Sequence, residues 1–255
     1  MIRLILAAIY LILYLILTIP LMLITWIIGC FNPHAGDVSS LALVNWGFRC
    51  LWHICGIHAT VIGQDKIPKD RPVLYVGNHR SIFDVVTCYP RVAGPTGFVS
   101  KKEILKVPLL NIWMMLLHCI FLDRKNTRAG LDMILKAIEL EKKGISVFIY
   151  PEGTRNKDIE SNELLPMHNG SFKIASKADV PVVPICIVGS EHILEAHLPR
   201  IRKSNIVIEY LDPIYIKDLS KEDQKNVGEY FRALIGERYV ANKTAYAEEL
   251  AKYRK

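Results

Sequence analysis

The amino-terminal part of the chain carries the feature that most limits how it can fold. No Asp, Glu, Lys or Arg occurs between residues 4 and 36, and the stretch from Leu4 to Ile28 is almost continuously apolar. A helix needs about 20 apolar residues to cross the hydrocarbon core of a bilayer, so this run is long enough for one span. Pro20 lies near its middle and would kink or split the helix. The sequence therefore allows a tilted span, a kinked span or a hairpin that dips into one leaflet.

Charge and cysteine content narrow the classes of partner. The formal net charge of +7 indicates an anionic partner, and no motif typical of RNA or DNA binding accompanies it. An anionic lipid surface or a phosphorylated substrate is therefore favoured over nucleic acid. The six cysteines form no CxxC pair, and no histidine cluster has the spacing of metal ligands. We therefore expect neither a disulfide framework nor a metal site. We also expect the protein to work in a reducing compartment.

The pattern changes after the apolar run. Residues 32–36 are typical of a turn, and residues 38–57 predict a second helix that lies either in the headgroup zone or in the core of the following domain. From residue 58 onward, short apolar strands alternate with amphipathic helices. This alternation predicts an α/β domain with a mixed, mostly parallel central sheet flanked by helices. The predicted strands are residues 73–76, 119–122, 145–150, 182–187 and 206–208.

Two amphipathic helices are predicted in the second half of the chain. The first has Thr127 as its N-cap and stops at Gly144, and the second begins at Ser220, which starts a sequence similar to a capping box. Apolar residues at helical spacing define the faces that we expect to be buried. They are Leu131, Ile134, Leu135 and Ile138 in the first helix, and Val227, Phe231, Leu234 and Ile235 in the second.

A histidine directly follows the first predicted strand, in the segment from Asn78 to Asp84. Open α/β sheets bind ligands at the carboxyl ends of their strands. A turn after the strand can bring the Asp84 carboxylate to Nδ1 of His79. The carboxylate would then fix the tautomer while Nε2 accepts a proton from a hydroxyl group. Taken alone, this spacing is also typical of a hydrogen-bonded structural histidine.

Two further clusters contain residue types that bind phosphate. Residues 150–155 follow another predicted strand, and Gly153 allows close backbone approach while Arg155 offers forked donors. Residues 98–130 contain six basic and two acidic residues. Taken alone, the first cluster also fits a plain turn, and the second also fits a solvated face.

Together, these features resemble the glycerolipid acyltransferase family, and within it the lysophosphatidate (1-acylglycerol-3-phosphate) acyltransferases. Four blocks match in order: N-H-x4-D at residues 78–84, the basic block at 101–124, Y-P-E-G-T-R at 150–155 and the proline-containing strand at 180–185. Departures from the family pattern bear on acceptor and acyl-chain preference more than on the chemistry. They are Asn111, His118, Asn156, His168 and Asn169.

The resemblance implies an O-acyltransferase that moves an acyl chain from acyl-CoA or acyl-carrier protein to the free hydroxyl of 1-acylglycerol-3-phosphate, giving phosphatidic acid. It implies that His79 is the catalytic base and Asp84 orients it, with no acyl-enzyme, metal or bound cofactor. Arg124, Arg155 and Lys101 would bind the acceptor phosphate. The residues expected to shape the pocket are Asn78, Glu152, Gly153 and Thr154.

The same resemblance implies that Glu152 orients Arg155. The apolar run and the change of pattern near residue 58 predict a membrane-associated helical segment over residues 1–57 and the catalytic domain over residues 58–255. We expect the bilayer as a partner and the cell membrane as the location, with the catalytic domain facing the cytoplasm, where thioester donors are found. A cleaved signal peptide or lipidation of Cys30 would instead export this domain.

The sequence is also compatible with other functions. The acceptor could be another lysophospholipid, an amine-bearing lipid or glycerol 3-phosphate, and water in place of the alcohol would make the protein a membrane thioesterase. A non-catalytic protein that binds anionic lipid through its basic charge is a further alternative.

Overall fold

A computed structural model describes residues 1–123 and 126–253. The described residues form a seven-stranded sheet, with strands β1 (Ile57–Ile62), β2 (Leu74–Gly77), β3 (Thr96–Lys101), β4 (Ile120–Leu122), β5 (Ser146–Ile149), β6 (Val182–Val188) and β7 (Ser204–Tyr210). The strand order is β1-β7-β6-β2-β5-β3-β4. Only β6 and β7 pair in antiparallel orientation. The predicted mixed, mostly parallel sheet is therefore confirmed.

Helices precede, connect and follow these strands. In the described residues they are α1 (Ile2–Leu17), α2 (Ile19–Phe31), α3 (Pro33–Cys55), α4 (Phe83–Cys88), α5 (Leu110–Leu116), α6 (Thr127–Lys142), α7 (Asn169–Ala178), α8 (Lys221–Lys225), α9 (Val227–Ala245) and α10 (Ala247–Ala251).

The sheet is buried on both faces, as a largely parallel sheet requires. Side chains on β2 alternate between two hydrophobic clusters, because successive residues of a strand point to opposite faces. Tyr75 belongs to the cluster that includes residues of α1 to α5, whereas Leu74 and Val76 belong to the cluster formed with α6, α7, α9 and α10. The domain is thus a three-layer α/β fold, and the class predicted from the sequence is confirmed.

The apolar amino-terminal run forms two helices, with a bend of 50° between α1 and α2. Pro20 lies in the first turn of α2, where the missing N–H has no intrahelical partner to lose. The break expected near this proline is therefore confirmed. No single helix among the described residues is long and apolar enough to cross a membrane, but α1 and α2 together meet the length and composition requirement.

Helix α3 begins earlier than the sequence pattern suggested. Asn32 is its N-cap, with the side-chain oxygen accepting a hydrogen bond from Ala35 N at 3.1 Å. The turn predicted at residues 32–36 was wrong beyond Asn32, because Gly36 lies inside the helix. A Cβ on Gly36 would lie only 2.5 Å from Gly29 Cα, so this glycine permits the close approach of α2 and α3.

One face of α3 belongs to the core of the domain. Leu41, Val44 and Leu51 are buried in the same cluster as the sheet residues, and Trp52 Nε1 donates to Val86 O at 3.0 Å. Of the two expected locations for this helix, the core position is confirmed. Trp46, by contrast, is 56% exposed and faces away from that core.

Several local predictions were wrong. The sequence pattern missed β1 and β3, whose residues alternate poorly or include glycine and polar side chains. The N-cap of α6 is Asn126, which accepts from Arg128 N at 3.0 Å, and not Thr127. The face predicted for α6 was half wrong: Ile134 and Ile138 pack against the core, whereas Leu131 and Leu135 are more than half exposed and Met133 and Ala137 are buried instead.

Candidate active site

The histidine and aspartate singled out in the sequence are in direct contact. His79 lies in the loop after β2, and its Nδ1 is 2.8 Å from Asp84 Oδ2 at the start of α4. Because the carboxylate oxygen accepts this bond, Nδ1 carries the proton and Nε2 keeps a lone pair. The imidazole is 12% exposed, whereas the carboxylate is fully buried. This geometry leaves Nε2 able to accept a proton from a bound group.

The loop between these residues is fixed by the same carboxylate. Asp84 Oδ2 also accepts hydrogen bonds from the backbone N–H groups of Arg80 and Ser81, each at 2.8 Å. Three donors therefore converge on one oxygen. The position of the aspartate and the path of the loop determine one another, so the orientation of the imidazole is set before any substrate binds.

The turn after β5 holds the backbone of His79 from the other side. Glu152 Oε1 accepts from His79 N at 2.8 Å, and Asn156 N donates to His79 O, also at 2.8 Å. Glu152 Oε2 accepts from Leu165 N at 3.2 Å. Burial raises the pKa of Glu152 to about 7, against the opposing effect of these two donors. The prediction that Glu152 orients Arg155 was therefore wrong: its carboxylate binds backbone N–H groups.

Two neighbouring side chains complete the surroundings of the imidazole. The ring of Tyr150 stacks on that of His79, with centroids 4.2 Å apart and planes at 13°. Gly77 leaves room for the tyrosine, since a Cβ there would lie 3.2 Å from its Cε1. Asn78 is fully buried and exchanges two hydrogen bonds with the backbone of Ile187, which ties the end of β2 to β6. Asn78 thus shapes the site through the backbone.

Arg80 braces the segment that follows the turn. Its guanidinium donates to the carbonyl oxygens of Asp158, Ser161 and Glu163 at 2.8 to 3.1 Å, and it lies 4.6 Å from the centroid of the Tyr239 ring. The side chain is only 2% exposed. Sequence reasoning missed this role, although a charged residue in the loop immediately after a buried strand was a usable signal.

Arg155 pairs with a residue that the sequence pattern did not single out. Its NH1 donates to Glu195 Oε1 at 2.7 Å, and the guanidinium is 42% exposed. Gly153 has a φ of +67°, which explains why glycine stands at this turn, and Thr154 is exposed beside it. The turn therefore places the arginine at the surface, close to the loop that carries His79.

The carboxyl ends of four parallel strands lie at one edge of the sheet. β2, β5, β3 and β4 are neighbours in this order, and they end next to His79, Glu152, Lys101 and Asp123 respectively. Lys101 is thus about 10 Å from β2 across the sheet, at two strand spacings. Its Nζ lies 3.4 Å from Glu103 Oε1 in an exposed position. Arg124, the remaining predicted phosphate ligand, lies outside the described residues.

His118, one of the departures from the family pattern, has a structural role. Its φ is +56°, and its Nε2 lies 2.7 Å from Asp37 Oδ1 in the first turns of α3. A residue other than glycine in this conformation costs free energy, which the contact with Asp37 offsets. The histidine therefore connects the segment between α5 and β4 to the amino-terminal helices.

A His–Asp pair at the carboxyl end of a parallel strand, with an arginine-bearing turn beside it, has the geometry to supply a general base next to an anionic group. The sequence profile of the acyltransferase family matches residues 58–188, which is half of the chain. The chain therefore belongs to the acyltransferase family.

Individual proteins similar to this chain are also acyltransferases. The 1-acyl-sn-glycerol-3-phosphate acyltransferase of Haemophilus influenzae is 30% identical over 205 residues, which cover 78% of this chain and 82% of that enzyme. The enzyme of the same name from Escherichia coli is 28% identical over 163 residues, 64% of each chain. The crystal structure of the 1-acyl-sn-glycerophosphate acyltransferase PlsC from Thermotoga maritima superposes with a TM-score of 0.76 at 25% identity, covering 95% of this chain and 97% of that one.

Proposed function

We propose that this protein transfers an acyl chain from acyl-CoA or acyl-carrier protein to the free hydroxyl of 1-acylglycerol-3-phosphate, giving phosphatidic acid. The similarity to the three acyltransferases named above supports this choice of acceptor. The contact between His79 Nδ1 and Asp84 Oδ2 is the observation that carries the reaction type. It leaves one imidazole nitrogen available as a base for a hydroxyl group.

The proposed reaction is a direct transfer. His79 Nε2 removes the proton of the acceptor hydroxyl while the oxygen attacks the thioester carbonyl. Asp84 stabilises the imidazolium that forms. The tetrahedral intermediate then expels the thiolate, which takes the proton from His79, so the base is restored without an acyl-enzyme. We propose that no metal or bound cofactor takes part.

Arg155 is the proposed ligand of the acceptor phosphate among the described residues. Its guanidinium is partly exposed and lies beside the His79 loop, where it can reach a phosphate on the carbon next to the one that bears the reacting hydroxyl. Forked arginine donors match phosphate oxygens geometrically. Lys101 at the same sheet edge would contribute charge, and Arg124 stays in the proposal through its sequence position alone.

The amino-terminal helices are the proposed membrane contact. The exposed side chains of α1 and α2 are nearly all apolar, which is unfavourable in water and favourable in a bilayer interface. We propose that residues 1–57 hold the domain formed by residues 58–255 at the cell membrane, on its cytoplasmic side, with α1 and α2 in contact with the bilayer and α3 packed into the core of that domain. Among the large apolar residues exposed on these two helices are Ile5, Ile9, Ile12, Leu13, Ile16, Leu17, Leu23, Ile24, Trp26 and Phe31.

The proposal can be tested with the purified full-length protein in vesicles. Thiol release is measured from acyl-CoA and from acyl-carrier protein, with and without lysophosphatidate. We expect release to depend on the acceptor, and to fall at least about 10³-fold in His79→Ala and about 10²- to 10⁴-fold in Asp84→Asn. His34→Ala, an exposed histidine in α3, serves as the control and should keep full activity.

A second comparison, between a phosphorylated and an unphosphorylated acceptor, tests the assignment of the acceptor. Arg155→Ala should raise the KM for lysophosphatidate and leave that for monoacylglycerol unchanged, whereas Arg71→Ala, at the opposite end of β2, should change neither. Release without acceptor would contradict the transferase proposal and indicate a thioesterase. Full turnover in His79→Ala would contradict the assigned base.

A further inference from the structure

Glu195 makes contacts that the proposed reaction has not used. It begins a short 3-10 turn, Glu195–His197, which follows β6. Its Oε1 accepts hydrogen bonds from Arg155 NH1 at 2.7 Å and from Ile82 N at 2.9 Å, and its Oε2 accepts from Ser81 Oγ at 2.6 Å. One carboxylate therefore joins the arginine of the β5 turn to the loop that carries the His–Asp pair.

The carboxylate is anchored to that loop independently of the arginine. Two of its three donors belong to Ser81 and Ile82, and the same serine donates through its backbone N–H to Asp84 Oδ2. Ser81 Oγ also accepts from Phe83 N at 3.0 Å. The side chain of Glu195 is only 16% exposed, so water competes poorly for these bonds. The position of Glu195 is thus set by residues that also set the position of Asp84.

The arginine keeps most of its donors. A guanidinium has five N–H groups, and the contacts among the described residues use one side of it, NH1, for Glu195. The rest of the fork remains for the oxygens of a phosphate. A long side chain held at one end before the ligand arrives loses less conformational freedom on binding, which strengthens binding.

We propose that Glu195 is a positioning residue for the acceptor phosphate, because it holds the Arg155 guanidinium at a fixed place relative to His79. This inference rests on the proposed function, since it takes Arg155 as the phosphate ligand. Glu195 itself touches neither the phosphate nor the reacting atoms. It acts by fixing the distance between the phosphate and the base, and so the place of the acceptor hydroxyl.

If Glu195 instead competed with the phosphate for Arg155, the KM would change in the opposite direction. If the Glu195 carboxylate occupied the place of the phosphate, the substrate would have to displace it from Arg155, and removing its charge would tighten substrate binding. If Glu195 positions the arginine, removing its charge weakens binding. The sign of the change in KM therefore distinguishes the two roles.

The test compares Glu195→Gln with the wild-type enzyme in vesicles. Glutamine keeps the size of the side chain and an oxygen for Ser81 or Ile82, but it loses the charge that holds Arg155. We expect the KM for lysophosphatidate to rise about 10-fold with a smaller change in kcat, and the KM for monoacylglycerol to stay constant. Glu195→Asp should recover part of the loss. Glu248→Gln, an exposed glutamate of α10, is the control.

A double-mutant cycle ties the effect to the arginine. In an Arg155→Ala background, Glu195→Gln should raise the KM for lysophosphatidate no further. A lower KM in Glu195→Gln would overturn the proposal, and so would an equal loss of kcat for all acceptors with a lower melting temperature. Wild-type turnover of lysophosphatidate is measured first and tests the proposed function separately. If another phosphorylated acceptor replaced it, the same comparison with that acceptor would decide the role of Glu195.

Discussion

The backbone N–H of His79 donates a 2.8 Å hydrogen bond to Glu152 Oε1, across 73 residues of sequence. Glu152, in the turn after β5, therefore fixes the position of the His79 backbone relative to the carboxyl end of the sheet. Its second oxygen accepts from Leu165 N at 3.2 Å, so both oxygens are needed as acceptors. This arrangement explains why the two sequence blocks occur together in one site.

Glu152→Gln should consequently impair catalysis. The amide group would place a donor against one of the two N–H groups, and the loop carrying His79 would shift. We expect kcat to fall about 10- to 100-fold with small changes in KM, because about 1 Å of misplacement is costly in a preorganised site. Steady-state kinetics with varied donor and acceptor measure this. Glu160→Gln, an exposed residue of the following segment, is the control, and unchanged kcat in Glu152→Gln would contradict the assigned role.

Arg80 offers a prediction about stability. Replacing it by Gln removes three hydrogen bonds between a buried guanidinium and carbonyl oxygens, of which the Glu163 oxygen keeps Asn156 Nδ2 as a donor. We expect a loss of about 2 to 4 kcal/mol in the free energy of unfolding, hence a melting temperature lower by several degrees. The segment around Asp158 should also become sensitive to proteases. Arg71→Gln, an exposed arginine paired with Asp70, should change neither measurement.

Contacts between residues that are close in sequence could be predicted from the sequence. His79 and Asp84 are five residues apart, so the turn that joins them was predictable from the spacing. The partners of Glu152 and Arg155 were not, because they belong to segments up to 73 residues away in sequence. Glu195 stands in a stretch without a recognisable pattern, and only the folded chain brings it to Arg155.

The same distinction applies to the fold. Strands with continuous apolar residues, such as β5 and β6, were predicted, because burial on both faces leaves a clear pattern. Strand β1 at the sheet edge contains His58 and Thr60, and β3 contains Gly97 and Ser100, so both were missed. The helix face of α6 was assigned by hydrophobicity, yet packing buries the small Ala137 there.

The crossing of α2 and α3 allows a comparison between two glycines. A Cβ on Gly36 would lie 2.5 Å from Gly29 Cα and 2.8 Å from Gly29 N, both backbone atoms that cannot move alone. A Cβ on Gly29 would meet Gly36 Cα at 3.8 Å, which is ordinary contact. We expect Gly36→Ala to lower the free energy of unfolding by about 1 to 3 kcal/mol by separating the helices, and Gly29→Ala to have little effect. Thermal unfolding in detergent compares the two, and equal melting temperatures would contradict this packing.

Glu141 gives the clearest expected dependence of stability on pH. This residue of α6 is 2% exposed, its Oε1 accepts from Val147 N at 3.0 Å, and its Oε2 is buried without a hydrogen-bond partner among the described residues. Burial raises the pKa of Glu141 to about 8 from an ordinary value of 4.5. The folded state therefore binds this proton more tightly than the unfolded state does.

Stability should accordingly fall as the pH rises between the two pKa values. Below about pH 4.5 the carboxyl group is neutral in both states. Between about pH 4.5 and 8 the unfolded chain has lost the proton while the folded chain keeps it. The free energy of unfolding therefore falls by up to about 1.4 kcal/mol per pH unit over this range. Glu141→Gln removes this titrating group and should flatten the curve between about pH 7 and 8. It should also reduce the slope below pH 7, where Glu152, with a pKa of about 7, contributes as well. Glu139→Gln, an exposed neighbour on the same helix, should leave the slope unchanged. Chemical unfolding at a series of pH values measures both, and an unchanged slope between pH 7 and 8 in Glu141→Gln would assign that part of the pH dependence to another group.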